Sequence, residues 1–276
     1  MSAWLRHIPR PGDLTGIAAV AVGRLFLRRG AAAGSGFVSN EAPVIIAGMH
    51  RSGTSIVARL LERCGMYAGG SWLDENHESV FFSRANRAML GEGPFLLYDY
   101  GWTAPKADAF IQARRCYAER AAKHPGAFFA GRREQSVWGW KDPRNSLTLP
   151  VWLSVYPNAR VLHVLRDGRS VALSLADRDG LDPSFGLALW GHYATRAERA
   201  LAAVPEARQL TIRFEDLTDT PGPTIEGLCR FAGLTPPADL DEIAAAVRRE
   251  RGSARLNDER IAEMGDHPLL VRYGYR

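Results

Sequence analysis

Two glycines separated by four residues constrain the fold of this chain more than any other feature. Gly48 and Gly53 follow an apolar, β-branched run at residues 43–47 and precede apolar positions that repeat at helical spacing from Thr54. The first pattern is typical of a buried strand and the second of an amphipathic helix. A strand, a glycine loop and a helix in this order surround one point with backbone N–H groups and the positive end of the helix. The sequence therefore predicts an anion site at this loop.

The loop has the spacing of the G-x-x-x-x-G-K-[ST] motif, but Thr54 stands where that motif has lysine. In a nucleoside triphosphatase the lysine reaches the β- and γ-phosphates, and the last hydroxyl holds magnesium. Here the donors are backbone N–H groups, the hydroxyls of Ser52, Thr54 and Ser55, and the guanidinium of Arg51. These donors suit an anion of lower charge and require no metal. A glycine turn that binds nothing is the alternative.

The rest of the chain alternates between strand and helix patterns. Strands are predicted at 137–140, 160–165 and 209–213, and helices at 80–90, 105–123, 147–156, from 170, and at 183–204, 224–231 and 240–249. Strands that alternate with helices predict an α/β fold, a mainly parallel sheet flanked by helices, with a P-loop-type loop after the first strand. A chain of 276 residues is long enough for one such domain.

The first 40 residues differ in character from the rest. The apolar run at 17–27 contains Arg24 and is closed by Arg28 and Arg29. It is shorter than the roughly 20 residues that a helix needs to cross a bilayer. We expect residues 1–40 to form a helical extension and linker packed on an anion-binding domain at 41–276, with peripheral contact to a membrane surface as the alternative.

Charge and cysteine content limit the possible partners. The net charge of +5 comes without a long Lys/Arg run, which argues against nucleic-acid binding. The odd number of cysteines and the lack of a C-x-x-C pair argue against both a disulfide framework and a zinc site. We therefore expect a cytoplasmic protein. The three cysteines are Cys64, Cys116 and Cys229.

A second anion anchor is predicted after the strand at 160–165. Arg166 stands at the carboxyl end of that strand, where open α/β sheets bind their ligands. Ser174 lies about a turn into the helix that begins at 170, so that its hydroxyl and the guanidinium can converge on one phosphate. Taken alone, Arg166 could also be a surface arginine paired with Asp167.

Residues 51–55 together with residues 165–174 resemble the phosphosulfate-dependent sulfotransferases, in particular their bacterial and tyrosylprotein-type branch. The resemblance spans about residues 43–234. It implies that Arg51, Ser52, Gly53, Thr54 and Ser55 wrap the 5′-phosphosulfate of 3′-phosphoadenosine 5′-phosphosulfate (PAPS). It further implies that a sulfuryl group is transferred from this donor to a hydroxyl or amine. Arg166 and Ser174 match the pair that holds the 3′-phosphate in the family.

Two further segments agree with this family. Residues 138–144 resemble its Lys-Asp-Pro segment, which implies that Lys141 stabilises the bridging oxygen as it leaves, while Arg51 assists at the sulfuryl oxygens. Residues 212–217 resemble its late strand. Because adjacent side chains on an extended chain point to opposite sides, we expect Glu215 and Asp216 to support structure rather than to share a catalytic site.

The resemblance implies that the general base lies in the acidic cluster at residues 73–79, after the first strand and helix. Asp74, Glu75, His77 and Glu78 are the candidates, and each of the two glutamates could instead cap the helix at 80–90. We prefer Glu78 because it adjoins the start of that helix, where its side chain is more rigidly held.

The acceptor is not specified by these motifs, so a small molecule, a carbohydrate or a peptide is possible. The competing functions are a nucleotide kinase or triphosphatase with a degenerate loop, and a nucleotide-binding module without catalysis. His50 could shape the sulfate pocket. Aromatic residues that could wall the acceptor site are Trp72, Tyr98, Tyr100 and Trp102, and arginines that could touch the donor are Arg248, Arg249, Arg251 and Arg255.

Overall fold

A parallel sheet carries the fold in the computed structural model, which describes residues 36–70, 73–91, 104–126, 128–132, 136–253, 258–264 and 267–275. Its four strands in these ranges lie in the order β2-β1-β3-β4, and every neighbouring pair is parallel. The strands are β1 (Val44–Ala47), β2 (Gly139–Lys141), β3 (Arg160–Leu165) and β4 (Gln209–Arg213). The predicted α/β class is therefore confirmed.

Helices connect these strands and cover the sheet. They are α1 (Thr54–Arg63), α2 (Val80–Leu90), α3 (Ala104–Ala113), α4 (Arg115–Lys123), α5 (Asn145–Val155), α6 (Gly168–Asp179), α7 (Pro183–Leu201), α8 (Phe214–Asp219), α9 (Pro221–Ala232), α10 (Leu240–Ser253), α11 (Asp258–Ala262) and α12 (Pro268–Arg272). None of the helices in the described ranges is long and apolar enough to span a bilayer. Most of the predicted helices are present with boundaries within a few residues of the expected ones.

Two local predictions are wrong. The single helix expected at 105–123 is divided into α3 and α4, because Arg114 leaves the helical region at φ −105° and ψ 13°. The chain is also not extended at Glu215 and Asp216, since β4 ends at Arg213 and α8 begins at once. The residues that α8 buries, Phe214, Leu217 and Thr218, have helical spacing, so burial of this short face stabilises a helix there.

The predicted extension at 1–40 lies outside the described residues up to residue 35. From residue 36 onward the chain is held against the domain. The Ser39 N–H donates to the Val155 carbonyl over 2.8 Å, and the Arg115 guanidinium donates to the Phe37 carbonyl over 3.0 Å. The chain thus reaches β1 along α4 and the end of α5.

The strand order places a topological switch point between β1 and β3. These two strands are neighbours, but the chain leaves β1 towards β2 on one side and leaves β3 towards β4 on the other. Open α/β sheets bind ligands outside the carboxyl ends of the strands at such a point. The loops that follow Ala47 and Leu165 therefore meet where a ligand is expected.

The two faces of the sheet have different cores. Along β1, Ile45 packs into an aromatic cluster, whereas Val44 and Ile46 pack into an aliphatic one, as alternation along a strand requires. The aromatic face is built around Phe82 of α2 and Trp140 of β2, whose rings stack at 4.0 Å with 10° between their planes. This contact fixes α2, and hence the residues just before it, against β2.

A buried polar network ties α2 and α5 to β1. Asn145 donates from its side-chain amide to the Ile46 carbonyl over 2.9 Å, and its oxygen accepts from Asn86 and from the Trp140 indole over 2.9 and 3.1 Å. The Asn86 oxygen accepts from the Trp152 indole over 2.7 Å. Buried amides are costly unless they are paired in this way, so the network fixes the position at which α5 begins.

His163 on β3 gives the fold a predictable sensitivity to acid. It is 3% exposed, and burial lowers its pKa from 6.5 to about 4. Above pH 6.5 the ring is neutral in the folded and the unfolded chain. As the pH falls from 6.5 towards 4, protonation favours the unfolded chain. Replacing His163 with leucine should remove a penalty of about 2 kcal/mol at pH 5.

The measurement is urea unfolding of both proteins at pH 7.5 and at pH 5.0. Between these values the His163→Leu protein should lose less free energy of unfolding than the wild type does. An equal loss in the two proteins would show that His163 does not cause the acid sensitivity.

Candidate active site

The glycine loop after β1 can adopt its conformation only because two positions lack side chains. Gly48 has φ +149°, and a Cβ there would lie 2.5 Å from the Val164 carbonyl oxygen. Gly53 has φ +93°, and its Cβ would lie 2.3 Å from the Phe214 ring. Arg51 also has a positive φ, +67°, which an arginine adopts only when its surroundings impose it.

The hydroxyls of the loop differ in their surroundings. Ser52 donates to the Met49 carbonyl over 2.6 Å, and Ser55 donates to the Asn76 carbonyl over 2.8 Å. Thr54 is buried in the first turn of α1. In that turn the N–H groups of Thr54 and Ser55 have no carbonyl of their own helix to bond, whereas the Ile56 N–H donates to the Gly53 carbonyl over 3.1 Å. The turn contains no acidic residue. The loop thus retains the positive character that its sequence predicts.

Arg51 joins the two predicted anchors. Its Nε donates to the Ser174 hydroxyl over 2.8 Å, and its carbonyl accepts from the Arg166 guanidinium over 3.0 Å. Arg166 also lies 4.9 Å from the centre of the Phe214 ring. Burial and the nearby charge of Arg51 lower the pKa of Arg166. Two cations from separate loops and a hydroxyl of α6 therefore lie together at the edge of the sheet.

The acidic turn before α2 separates the four candidate bases. Asp74 serves the turn itself, since its Oδ1 accepts from the N–H groups of Asn76 and Glu78 over 2.9 and 2.8 Å. His77 lies 2.6 Å from a Glu62 oxygen of α1, and Glu75 is exposed. Glu78 is buried and turns towards β2.

Glu78 pairs with Lys141, the cation predicted to stabilise the leaving group. One carboxylate oxygen lies 3.2 Å from the Lys141 Nζ and the other lies 3.3 Å from the Arg144 guanidinium. Arg144 also contacts both oxygens of Asp142 at 2.7 Å. All four side chains are at most 8% exposed. Charges buried this deeply are stable only as a paired set.

The two carboxylates in this set have opposite pKa shifts. Burial and the neighbouring charge of Asp142 raise the pKa of Glu78, against the opposing charges of Lys141 and Arg144. Burial also acts to raise the pKa of Asp142, but the charge and hydrogen bonds of Arg144 hold the pKa of Asp142 below its ordinary value. Two carboxylates with divergent pKa values are typical of an acid/base site in which one of them takes the proton. In this pair Glu78 is the more basic.

Sequence reasoning missed the role of Arg144. It lies in the segment singled out at 138–144, but nothing in the sequence indicated that it pairs with both Glu78 and Asp142. The pKa of Arg144 is raised by these two carboxylates against the effect of its burial. It therefore remains charged and holds the carboxylates in place.

His50 is 8% exposed, and its ring lies edge-on to Tyr193 of α7 with 6.2 Å between the centroids. Burial lowers the pKa of His50, and the surrounding cations, Arg144 and Lys141 foremost, lower it further. The ring is therefore neutral and adds no charge to the site.

Several residues predicted to contact the ligands lie outside the described part of the chain. They are Trp72, Tyr98, Tyr100, Trp102 and Arg255, together with the side chains of Arg248, Arg249 and Arg251. Among the side chains that are described, no three from His, Cys, Asp and Glu form a group that could hold a metal ion.

A comparison with protein families matches the greater part of the chain. The model of the sulfotransferase family matches residues 43–238, from the start of β1 to beyond α9. The chain belongs to the sulfotransferase family. The matched range contains the glycine loop, the acidic turn, Lys141 and the Arg166 loop of this sulfotransferase. No curated protein matches the chain.

Solved structures resemble this sulfotransferase in fold. The sulfotransferase domain of the Synechococcus PCC 7002 olefin synthase is 18% identical with a TM-score of 0.50, over 85% of this chain and 84% of that one. The sulfotransferase domain from the curacin biosynthetic pathway is 18% identical with a TM-score of 0.51, over 86% of this chain and 99% of that one. At such identity the likeness concerns the arrangement of helices and strands.

Gly53 offers a test of the loop geometry. Gly53→Ala should lower the free energy of unfolding by about 1–2 kcal/mol through its positive φ, and by a further 1–3 kcal/mol or so through contact with Phe214. Gly65→Ala is the matched control, because Gly65 has φ +101° but open space around its Cβ position. Urea denaturation of both variants separates the two effects. Equal losses of the free energy of unfolding in the two variants would mean that the Phe214 ring moves aside without an energetic penalty.

Proposed function

We propose that this protein transfers the sulfuryl group of PAPS to a hydroxyl or amine of an acceptor, leaving 3′-phosphoadenosine 5′-phosphate (PAP). The observation that carries the proposal is the meeting of Arg51, Ser174 and Arg166 at the switch point, beside the first turn of α1. Membership of the sulfotransferase family supports the transfer chemistry. The second anion anchor supports a donor with two separate anionic groups.

The donor would lie across the two loops. The 5′-phosphosulfate takes backbone N–H groups from the loop at 48–55, with Arg51 at the sulfuryl oxygens. The 3′-phosphate takes Arg166 and Ser174. Within the described ranges Arg166 contacts the Arg51 carbonyl and the Phe214 ring and forms no ion pair, so its guanidinium can receive a phosphate in the two-pronged geometry that arginine favours. The residues present therefore fit this substrate.

The transfer needs one base and one cation. The acceptor oxygen or nitrogen forms a bond to sulfur while the bond between sulfur and the bridging oxygen breaks, and the pair of electrons stays on the phosphate of PAP. The proton of the acceptor passes to Glu78, whose raised pKa makes it a better base than an exposed carboxylate. Lys141, 3.2 Å from Glu78, stabilises the charge that develops on the bridging oxygen.

The rival functions make different demands. A kinase or triphosphatase of the P-loop type uses a lysine at the position that Thr54 occupies. Magnesium-dependent hydrolysis of ATP would therefore favour that rival. A binding module without catalysis would bind PAP but form no product with any acceptor.

The acceptor would be a small molecule, a carbohydrate or a peptide that bears a hydroxyl or amine. It can be sought by incubating the protein and PAPS with an extract of its source organism. Mass spectrometry then identifies compounds that gain one sulfuryl group. Heat-treated protein provides the background.

Arg166→Ala should weaken PAP binding by about tenfold to a hundredfold, because a charge-assisted hydrogen bond to the 3′-phosphate is lost. Isothermal titration calorimetry of purified protein measures this. Arg63→Ala is the control, since Arg63 lies at the far end of α1 and pairs there with the exposed Asp239. Unchanged PAP affinity in Arg166→Ala would remove the second anchor from the proposal.

Lys141→Met should lower kcat by about a hundredfold while PAP affinity changes little, because the cation acts on charge that appears only in the transition state. Methionine preserves the volume of this buried side chain. The rate of PAP formation with the acceptor found above gives kcat, and calorimetry gives the affinity. Equal turnover in the two proteins would contradict the assigned role.

Glu78→Gln should abolish the acidic limb of the pH–rate profile. In the wild type the rate should rise with pH as Glu78 loses its proton, and the midpoint should lie above the ordinary pKa of a glutamate, because burial raises the pKa. The glutamine variant should be slow at every pH. A profile that keeps its acidic limb would assign the base elsewhere.

A further inference from the structure

The segment after α12 packs beside the second anchor. It lies beyond the residues that match the sulfotransferase family, which end at 238. Gly274, with φ +78°, turns the chain so that Tyr275 enters the protein and is only 5% exposed. The Arg213 guanidinium stacks on the Tyr275 ring at 4.5 Å, which fixes the ring against the end of β4.

Tyr275 is linked through the Glu215 carboxylate to the Arg166 loop, the turn at residues 166–167 between β3 and α6. Its hydroxyl donates to one oxygen of Glu215 over 3.0 Å. The other oxygen of Glu215 accepts from the backbone N–H of Asp167 over 3.1 Å. Asp167 directly follows Arg166, so Glu215 clamps the turn that carries the arginine. No motif in the sequence indicated that residue 275 would take part.

The clamp also keeps a competing charge away from Arg166. Glu215 acts on Arg166 electrostatically, since its charge is the largest of those that raise the pKa of Arg166 against burial. The two nevertheless form no ion pair within 4.0 Å, and the described partners of Arg166 are the Arg51 carbonyl and the Phe214 ring. Both Glu215 oxygens are committed elsewhere. The guanidinium is thus left for a ligand.

We propose that Tyr275 is a positioning residue for the donor: by holding Glu215 it keeps the Arg166 loop in place and prevents Glu215 from pairing with the guanidinium that receives the 3′-phosphate. The proposal rests on the function proposed above, because it assigns the 3′-phosphate to Arg166. Without the Tyr275 hydroxyl, one Glu215 oxygen loses its partner. A carboxylate released beside an arginine competes with phosphate for the same N–H groups.

The test compares the binding of two nucleotides by two tyrosine-to-phenylalanine variants. Tyr275→Phe should weaken PAP binding by about tenfold, the effect of losing a hydrogen bond to a charged group. Its affinity for adenosine 5′-phosphate, which lacks the 3′-phosphate, should stay within about twofold of the wild type. Tyr273→Phe is the matched control, because Tyr273 lies on the same segment but bonds Glu198 of α7 at 3.4 Å. It should leave both affinities unchanged.

A double variant tests the competition directly. Glutamine at 215 can still accept from the Asp167 N–H but carries no charge that competes for Arg166. Tyr275→Phe combined with Glu215→Gln should therefore recover most of the PAP affinity that Tyr275→Phe loses. Calorimetry at one salt concentration serves for all four proteins.

The possible failures are distinguishable. If the wild type binds the two nucleotides equally, the proposed donor is wrong. If the wild type prefers PAP but Tyr275→Phe weakens both nucleotides by the same factor, or weakens neither, Tyr275 has only a structural role and the inference is overturned. Failure of the double variant to recover affinity would overturn the competition with Glu215.

Discussion

Parallel pairing between β1 and β3 brings together two loops whose key residues, Arg51 and Arg166, are 115 positions apart in the chain. The carboxyl ends of both strands lie at one edge of the sheet, so the first turn of α1 and the Arg166 turn face the same space. The approach is close, because a Cβ on Gly48 would lie 2.5 Å from the Val164 carbonyl. Any shift in this pairing would separate the two arginines of the proposed anion site.

The second constraint is electrostatic. Glu78, Lys141, Asp142 and Arg144 are buried together, and two carboxylates are balanced by two cations. The Arg144 guanidinium lies 2.7 Å from each carboxylate oxygen of Asp142 but 3.3 Å from a carboxylate oxygen of Glu78. The unequal pairing explains why the pKa values move apart. One carboxylate becomes a fixed anion, while the other remains able to accept a proton.

The sequence predicted the parts of this site that depend on local pattern. The backbone conformation of the loop requires Gly48 and Gly53. The apolar run at 160–165 predicts the strand at whose end Arg166 stands. What it could not predict depends on contacts across the fold. Helix α8 forms at Phe214 because that side chain is buried against the glycine loop, and Arg144 and Tyr275 acquire their partners only when distant elements meet. Side-chain pairs between such elements leave no periodic signal.

The carbonyl of Asn76 links the glycine loop to the proposed catalytic pair. It accepts from the Ser55 hydroxyl at 2.8 Å and from the Lys141 ammonium at 3.1 Å. Asn76 belongs to the turn that Asp74 closes and that positions Glu78. The start of α1, the end of β2 and the proposed base therefore share one main-chain anchor. Because the anchor is a backbone atom, the spacing between the glycine loop, Lys141 and Glu78 is set by the turn itself, and it would survive a change of the Asn76 side chain that leaves the turn intact.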